Sequence, residues 1–320
     1  MDVVVLAGGF GTRLRPLTEG APKPLLPILD RAMIEHVVAV LPESLVDRVL
    51  IASGFGIDKM RAHFAGIDLP YDVVIVEERE PLGTGGAIEN CKEHLSGEAF
   101  CVINGDLITS LRVEEMLDFH QSNGGIATIS LWEVEDPSRF GVADYNPKTG
   151  KIRRFQEKPP REEAYSNLIN AGTYILEPEI FKLMPGGAHS IERDVYEDLA
   201  ATGGLNGFPF EGWFVDAGTK ESFIEATQVC ISGGRFASGS VVGDSWFGDG
   251  SSNSGDVSSS SVGGLATIGE GTVIRDSVIM EGAIIGPGCK IEGCLVGMDA
   301  EVDAGTELSG EIVNHGSRQD

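Results

Sequence analysis

The sequence predicts an α/β fold, a mostly parallel sheet covered by helices on both faces, followed by a left-handed parallel β-helix. Three observations carry this reading. Apolar strand-like runs alternate with helical segments through the first part of the chain. A glycine-rich loop follows the first of those runs directly. From Ile268 onward, isoleucine and valine recur at steps of six residues or a near multiple of six.

The strand-like runs are Val3–Ala7, Val49–Ala52, Val73–Val76, Phe100–Asn104 and Thr128–Trp132. Between them lie the helix-like segments Met33–Leu41, Ile57–Phe64, Gly86–Leu95 and Val113–His120. Fully apolar strands alternating with helices indicate parallel pairing under two covered faces. Gly141–Tyr145 and Lys151–Gln156 flank the turn Asn146-Pro147-Lys148-Thr149-Gly150 and read as a hairpin. Two more helices are predicted near Ile191–Ala201 and Lys220–Ile231.

Past Cys230 the composition changes. Gly and Ser dominate residues 232–264, which read as a linker or a set of loops. Ile268, Ile274, Ile285, Ile291, Val296, Val302 and Leu308 then mark a hexapeptide period, with turns at Gly269-Glu270-Gly271 and Gly286-Pro287-Gly288. Such a period places apolar residues inward on a three-sided coil. A disordered tail would be poor in these residues. Val242-Gly243 and Phe247-Gly248 suggest that the coil starts near 240 and is interrupted by the Ser-rich stretch. The expected domains are therefore 1–232 and 233–320.

The chemistry begins in Leu6-Ala7-Gly8-Gly9-Phe10-Gly11-Thr12-Arg13-Leu14, followed by Pro22-Lys23-Pro24. Gly8, Gly9 and Gly11 let the backbone approach a base and ribose and present N–H groups to phosphate oxygens. Arg13 and Lys23 supply the charge a triphosphate needs. No Gly-Lys-Ser/Thr follows, and Leu14 stands where a dinucleotide fingerprint needs its third glycine, so neither familiar phosphate loop is present.

Asn104-Gly105-Asp106 ends an apolar strand, where ligands of open α/β sheets sit. Asp216, in Val215-Asp216-Ala217-Gly218-Thr219, lies between a strand and a helix. Each aspartate alone could simply shape a turn. Beside a triphosphate, the pair suits Mg²⁺. Glu157-Lys158-Pro159 puts an acid and a base at a strand end, read as an acceptor for sugar hydroxyls and a clamp on a second phosphate. The bland reading is an exposed hairpin edge. Asn170 is read as a sugar contact or a strand-entry residue. Gly83-Thr84-Gly85-Gly86 opens a helix whose glycines would admit a flat base.

Composition narrows the partners. The net charge is -25, with 49 acidic against 24 basic residues, which disfavours nucleic acid. Lysines are scarce, a pattern similar to halophilic surfaces. Such a surface repels itself in dilute buffer and is screened at 1 M salt, where the Debye length is about 3 Å. No apolar stretch is long enough to span a membrane, and Met1-Asp2-Val3 has no basic leader. The five cysteines show no CxxC spacing and read as buried thiols of a reducing cytoplasm.

Taken in order, the glycine loop, Pro22-Lys23-Pro24-Leu25-Leu26-Pro27, Gly83-Thr84-Gly85-Gly86-Ala87, Asn104-Gly105-Asp106, Glu157-Lys158-Pro159, Asn170-Ala171-Gly172 and Val215-Asp216-Ala217-Gly218-Thr219 resemble the sugar-1-phosphate nucleotidyltransferases. Ser190-Ile191-Glu192-Arg193-Asp194-Val195 and Pro209-Phe210-Glu211-Gly212-Trp213 resemble the mannose-1-phosphate guanylyltransferases among them. The resemblance spans essentially the whole chain. It implies a Rossmann-like nucleotidyltransferase domain that joins a nucleoside triphosphate to a sugar 1-phosphate with loss of pyrophosphate, using Mg²⁺. It further implies that Leu6, Ala7, Gly8, Gly9, Gly11, Thr12, Gly83 and Thr84 hold the nucleotide, while Arg13 and Lys23 neutralise the triphosphate. Asp106 and Asp216 would bind the metal, Lys158 the sugar phosphate, and Gly141, Glu157 and Asn170 the sugar. Glu80 is a candidate acceptor for guanine. A glucose-1-phosphate thymidylyl- or uridylyltransferase is the alternative within the class. A non-catalytic sugar-nucleotide-binding homologue is disfavoured because the charged motif residues are all present. An acyltransferase is disfavoured because the coil offers only His315 as a base. The coil is read as structural, mediating a homo-oligomer.

Overall fold

The computed structural model describes residues 1–319. The chain forms two compact units, one of residues 1–9 and 37–214, the other of residues 10–36 and 215–320. Each is taken in turn.

The first unit is built on a nine-stranded sheet. Its strands are β1 (Asp2–Leu6), β2 (Arg48–Ser53), β3 (Asp72–Glu77), β4 (Phe100–Asn104), β5 (Ala127–Glu133), β6 (Gly141–Asn146), β7 (Lys151–Glu157), β8 (Leu168–Leu176) and β9 (Leu205–Pro209). Their order across the sheet is β3-β2-β1-β4-β8-β5-β9-β7-β6. β1 is parallel to both β2 and β4, β2 to β3, and β5 to β9. β8 enters antiparallel between β4 and β5, and the hairpin β6–β7 closes the far edge. Except that Ala7 of Val3–Ala7 falls just past β1, the predicted strands lie within observed ones, because their Val and Ile runs can be buried on both faces. Val4, Leu50, Val102, Ile129 and Tyr174 are fully buried in one core with Ile88, Val195 and Tyr196 from the covering segments.

The parallel half carries the crossover helices α1 (Ile57–Ala65), α2 (Gly83–Asn90) and α3 (Val113–Asn123). α2 starts earlier than its apolar pattern indicates and ends at Asn90, with a separate 3₁₀ turn at Lys92–His94. The helix expected near 191–201 is a π turn, Glu192–Tyr196, running into α4 (Glu197–Ala201).

In the second unit, α5 (Lys220–Ser232) begins at a capping box in which Thr219 and Ser222 satisfy each other's backbone N–H groups. Beyond it, short strands stack into three sheets, successive strands passing from one sheet to the next. All pairings are parallel except the first, Ser240–Val242 against Ser245–Phe247. The Gly/Ser-rich stretch, expected as a linker or a set of loops, instead forms the first coils. Ser252–Asn253, Asp256–Ser258 and Ser261–Val262 each occupy a sheet position.

The period also differs from six. Ile268 stacks on Ile285 and Val302, Ile274 on Ile291 and Leu308, and Ile279 on Val296 and Val313. Two sides of each coil take six residues and the third takes five, so Ile279, Val296 and Val313 each follow the preceding inward residue by five, off a strict hexapeptide grid. A side-chain ladder keeps this 17-residue spacing. The Ser260 hydroxyl accepts from Ser277 N–H, Ser277 Oγ from Cys294 N–H, and Cys294 Sγ from Glu311 N–H. Cys294 is thus a structural thiol in place of a serine. All five cysteines are free and buried, and burial pushes the Cys101 thiol up to about 12.

Candidate functional site

In the first unit, the carboxyl ends of β1 and β4 meet at Gly105. Its N–H bonds the Leu6 carbonyl at 2.8 Å, and a Cβ there would lie 2.8 Å from that same oxygen. Only glycine permits this approach, which packs Gly105 against Leu6 and Ala7, and Asp106 follows it immediately. Gly8 and Gly9 continue from β1, with Gly9 exposed.

The sequence reading missed the group next to Gly8. The Glu78 carboxylate packs where a residue-8 side chain would stand, so that a Cβ on Gly8 would be 2.5 Å from Glu78 Oε1. Glu78 accepts a hydrogen bond from the Leu82 N–H, tying the glycine loop to the start of α2. Desolvation raises its pKa above the ordinary glutamate value. Glu80, the sequence candidate, is exposed instead and lines a cavity with Arg79, Leu82, Asn90 and His94.

The glycines of α2 also make room for a neighbouring segment of the chain. A Cβ at Gly83 would lie 2.5 Å from the His189 carbonyl, one at Gly85 2.3 Å from the His189 ring, and one at Gly86 2.6 Å from the Gly187 carbonyl. They admit the protein's own 187–191 segment. Thr84 is fixed by that segment, donating to Glu192 at 2.6 Å and accepting from Ile191 N–H at 3.1 Å.

A second cluster forms at the end of the hairpin. Strand alternation would separate Glu157 and Lys158. Lys158 takes φ +50, and its Nζ reaches Glu157 Oε1 at 2.7 Å. The Glu157 side chain is buried and that of Lys158 exposed. Gly141, paired with Glu157 in the ladder, clears the space above it. A Cβ there would lie 2.3 Å from Phe155 Cζ and 2.9 Å from Glu157 Oε2.

Asn170 lies within β8, not at its entry. The β8/β5 register shifts between Asn170 and Tyr174, a bulge that re-aims the amide. Its Oδ1 accepts from Gly172 N–H at 2.9 Å and its Nδ2 donates to Tyr174 OH at 3.0 Å. Gly172 supplies the φ of +68 that the bulge requires.

In the second unit, Gly11 has φ +60 and caps the 3₁₀ turn Thr12–Leu14 that carries Arg13. A Cβ on Gly11 would lie 2.8 Å from Lys23 Cβ, and Lys23 is largely buried. Arg13 and Asp216 converge on Gly218, where a Cβ would lie 2.7 Å from Arg13 Nη2 and from Asp216 Oδ1. The glycine of the Asp216-Ala217-Gly218-Thr219 turn therefore makes room for a guanidinium and a carboxylate together.

A family model described as Nucleotidyl transferase matches residues 2–232. The chain belongs to the nucleotidyl transferase family. Among curated relatives of this nucleotidyl transferase, mannose-1-phosphate guanylyltransferase 1 of Arabidopsis thaliana is 33% identical over 98% of this chain and 86% of its own length. A probable mannose-1-phosphate guanylyltransferase 1 of Oryza sativa is 32% identical over 99% and 82%. Among solved structures, HddC from Yersinia pseudotuberculosis complexed with GMP-PN is similar, with a TM-score of 0.61 and 30% identity over 71% of this chain and 98% of that one. A UDP-glucose pyrophosphorylase complexed with UDP-glucose gives a TM-score of 0.65 at 25% identity, over 72% and 98%.

Among the described residues no group of three or more His, Cys, Asp or Glu side chains could hold a metal ion. A Mg²⁺ site of one or two carboxylates completed by substrate phosphates needs no such group. No helix of the described residues is long and apolar enough to cross a membrane.

Proposed function

We propose that this nucleotidyl transferase forms GDP-mannose and pyrophosphate from GTP and mannose 1-phosphate. Similarity to mannose-1-phosphate guanylyltransferases over nearly the whole chain supports the substrate pair. The observation that carries guanine is Glu78. Guanine presents two adjacent donors, N1–H and the N2 amino group, which a carboxylate beside Gly8 can accept side by side. Uracil and thymine present one N–H between two carbonyl oxygens, which a carboxylate would repel.

The chemistry is an in-line attack of the sugar phosphate oxygen on the α-phosphorus, with pyrophosphate leaving. The protein positions the groups and neutralises developing charge. In this reading Leu6 to Gly9, Gly11 and Thr12 present backbone to the nucleotide, with Gly83 and Thr84 on its base side. Arg13 and Lys23 neutralise the triphosphate and the departing pyrophosphate. Lys158 holds the sugar phosphate, and Gly141, Glu157 and Asn170 bound the sugar. Asp106 and Asp216 are each a carboxylate ligand for Mg²⁺, hard oxygen donors of the kind that ion takes. When bound, Mg²⁺ withdraws charge from the phosphate oxygens.

The C-terminal coil is read as a left-handed β-helix domain from residue 233 that joins copies of the chain. The protein is read as a salt-adapted cytoplasmic enzyme. The test is product analysis after incubation with GTP, mannose 1-phosphate and Mg²⁺. Equal amounts of GDP-mannose and pyrophosphate are expected. GTP consumption giving GDP and phosphate would overturn the reading.

A further inference from the structure

A buried carboxylate that the functional reading gives no role connects two of the motifs it uses. Glu192 lies largely buried at the start of the π turn. It takes three hydroxyl hydrogen bonds, on Oε2 from Thr84 and Ser190 at 2.6 Å each, and on Oε1 from Tyr174 at 3.3 Å. The two 2.6 Å bonds have the length of charge-assisted O–H···O⁻ bonds. Both partners beyond it are themselves committed. Thr84 Oγ1 also accepts from Ile191 N–H, and Tyr174 OH also accepts from the Asn170 amide. An unbroken polar chain therefore runs Thr84–Glu192–Tyr174–Asn170.

Tyr174 is wholly buried, and burial followed by the nearby Glu192 charge holds its hydroxyl protonated far above the usual tyrosine range. It is a permanent donor to Glu192. Tyr196, four residues on in the π turn, packs edge-on against Tyr174 with ring centroids 5.3 Å apart, and against Phe155 at 5.9 Å. Phe155 is the ring over which Gly141 clears space. The π turn thus braces the start of α2 on one side and the strands bearing Asn170 and Glu157 on the other. Single π turns inside helices are frequent at functional sites because they re-aim a side chain.

We infer that Glu192 is a positioning residue that couples the nucleotide-side Thr84 to the sugar-side Asn170, so that filling one subsite orders the other. This rests on the functional reading above, which assigns those two sides. Glu192 touches neither substrate and moves no proton. Its contribution is to hold two binding groups at one fixed separation, and a displacement of about 1 Å at such groups can cost on the order of a hundredfold in rate.

The test is a double-mutant cycle on the full-length protein with GTP and mannose 1-phosphate varied independently. Thr84→Val and Tyr174→Phe each delete one hydroxyl at nearly constant shape, whereas Glu192→Gln is a harsher change that risks the fold. Each deletion is expected to lower kcat/KM about tenfold. Because both break the same chain, the double variant is expected to lose about tenfold as well, not a hundredfold. Tyr174→Phe should also raise KM for GTP, and Thr84→Val KM for mannose 1-phosphate, a cross-effect that a purely structural role would not produce. Multiplying losses, with each KM change confined to its own substrate, would overturn the coupling while leaving the transferase reading intact. A folded wild-type protein inactive with every substrate pair would overturn both.

Discussion

Replacing Glu78 by glutamine tests base recognition with little change of shape. The amide fits the space beside Gly8 that the carboxylate fills, where a Cβ on residue 8 would stand 2.5 Å from Oε1. It keeps one acceptor and turns the other into a donor facing a guanine N–H. One charge-assisted hydrogen bond is lost and two donors confront each other. Hydrogen bonds to charged groups contribute roughly 1.5–3 kcal/mol, so kcat/KM for GTP should fall roughly 13- to 160-fold. The loss should appear mainly in KM, since the base is remote from the reacting phosphorus. Activity with UTP or dTTP should hold or rise, because the amide can donate to a pyrimidine carbonyl. The pH profile follows from the raised pKa of Glu78. The accepting form is the carboxylate, so KM for GTP should climb on acidification at a pH above the usual glutamate value, and Glu78→Gln should remove that limb. The assay is initial-rate pyrophosphate release in saturating mannose 1-phosphate. Unchanged KM for GTP in a folded Glu78→Gln protein would refute the reasoning.

Asp106→Ala should lower turnover about a hundredfold or more, the cost of removing one group that stabilises transition-state charge; near wild-type turnover at saturating Mg²⁺ would remove its metal role. Gly141→Ala pushes a methyl to 2.3 Å from Phe155 Cζ. Overpacking of about 1–3 kcal/mol should lower Tm, and KM for the sugar phosphate should rise more than KM for GTP; equal changes in both would count against a sugar-side role. With a net charge of -25, thermal stability should rise from dilute buffer to molar KCl; a Tm independent of salt would contradict the salt-adapted reading. Light scattering of the intact protein should give a multiple of the chain mass, and a single-chain mass would remove the oligomer.

The strands were legible because Val3–Leu6, Val49–Ala52 and Phe100–Asn104 are apolar on both faces, which few other arrangements satisfy. The glycine loop, Asp106, Glu157 and Lys158 were legible as local motifs whose chemistry depends on near neighbours. What failed to show in the sequence depends on contacts distant along it. Glu78 lies 70 positions from Gly8, and only the parallel β1–β2–β3 register brings them together. The glycines of α2 also make room for the segment around His189, about a hundred residues later, a packing that the local motif does not reveal. Glu192 sits in a helical pattern whose π turn has no period of its own. The coil was visible from its isoleucines, yet its five-residue side and its Ser-rich opening were not. Small residues can occupy inward positions there when backbone pairing between coils supplies the cohesion, as the Ser260–Ser277–Cys294 ladder does.

The most direct test of the central claim is pyrophosphate release in high salt with Mg²⁺, crossing GTP, UTP, dTTP, ATP and CTP with mannose, glucose and N-acetylglucosamine 1-phosphates. The account predicts the highest kcat/KM for GTP with mannose 1-phosphate. A maximum at UTP or dTTP with glucose 1-phosphate would contradict the assignment of Glu78 and the substrate pair together.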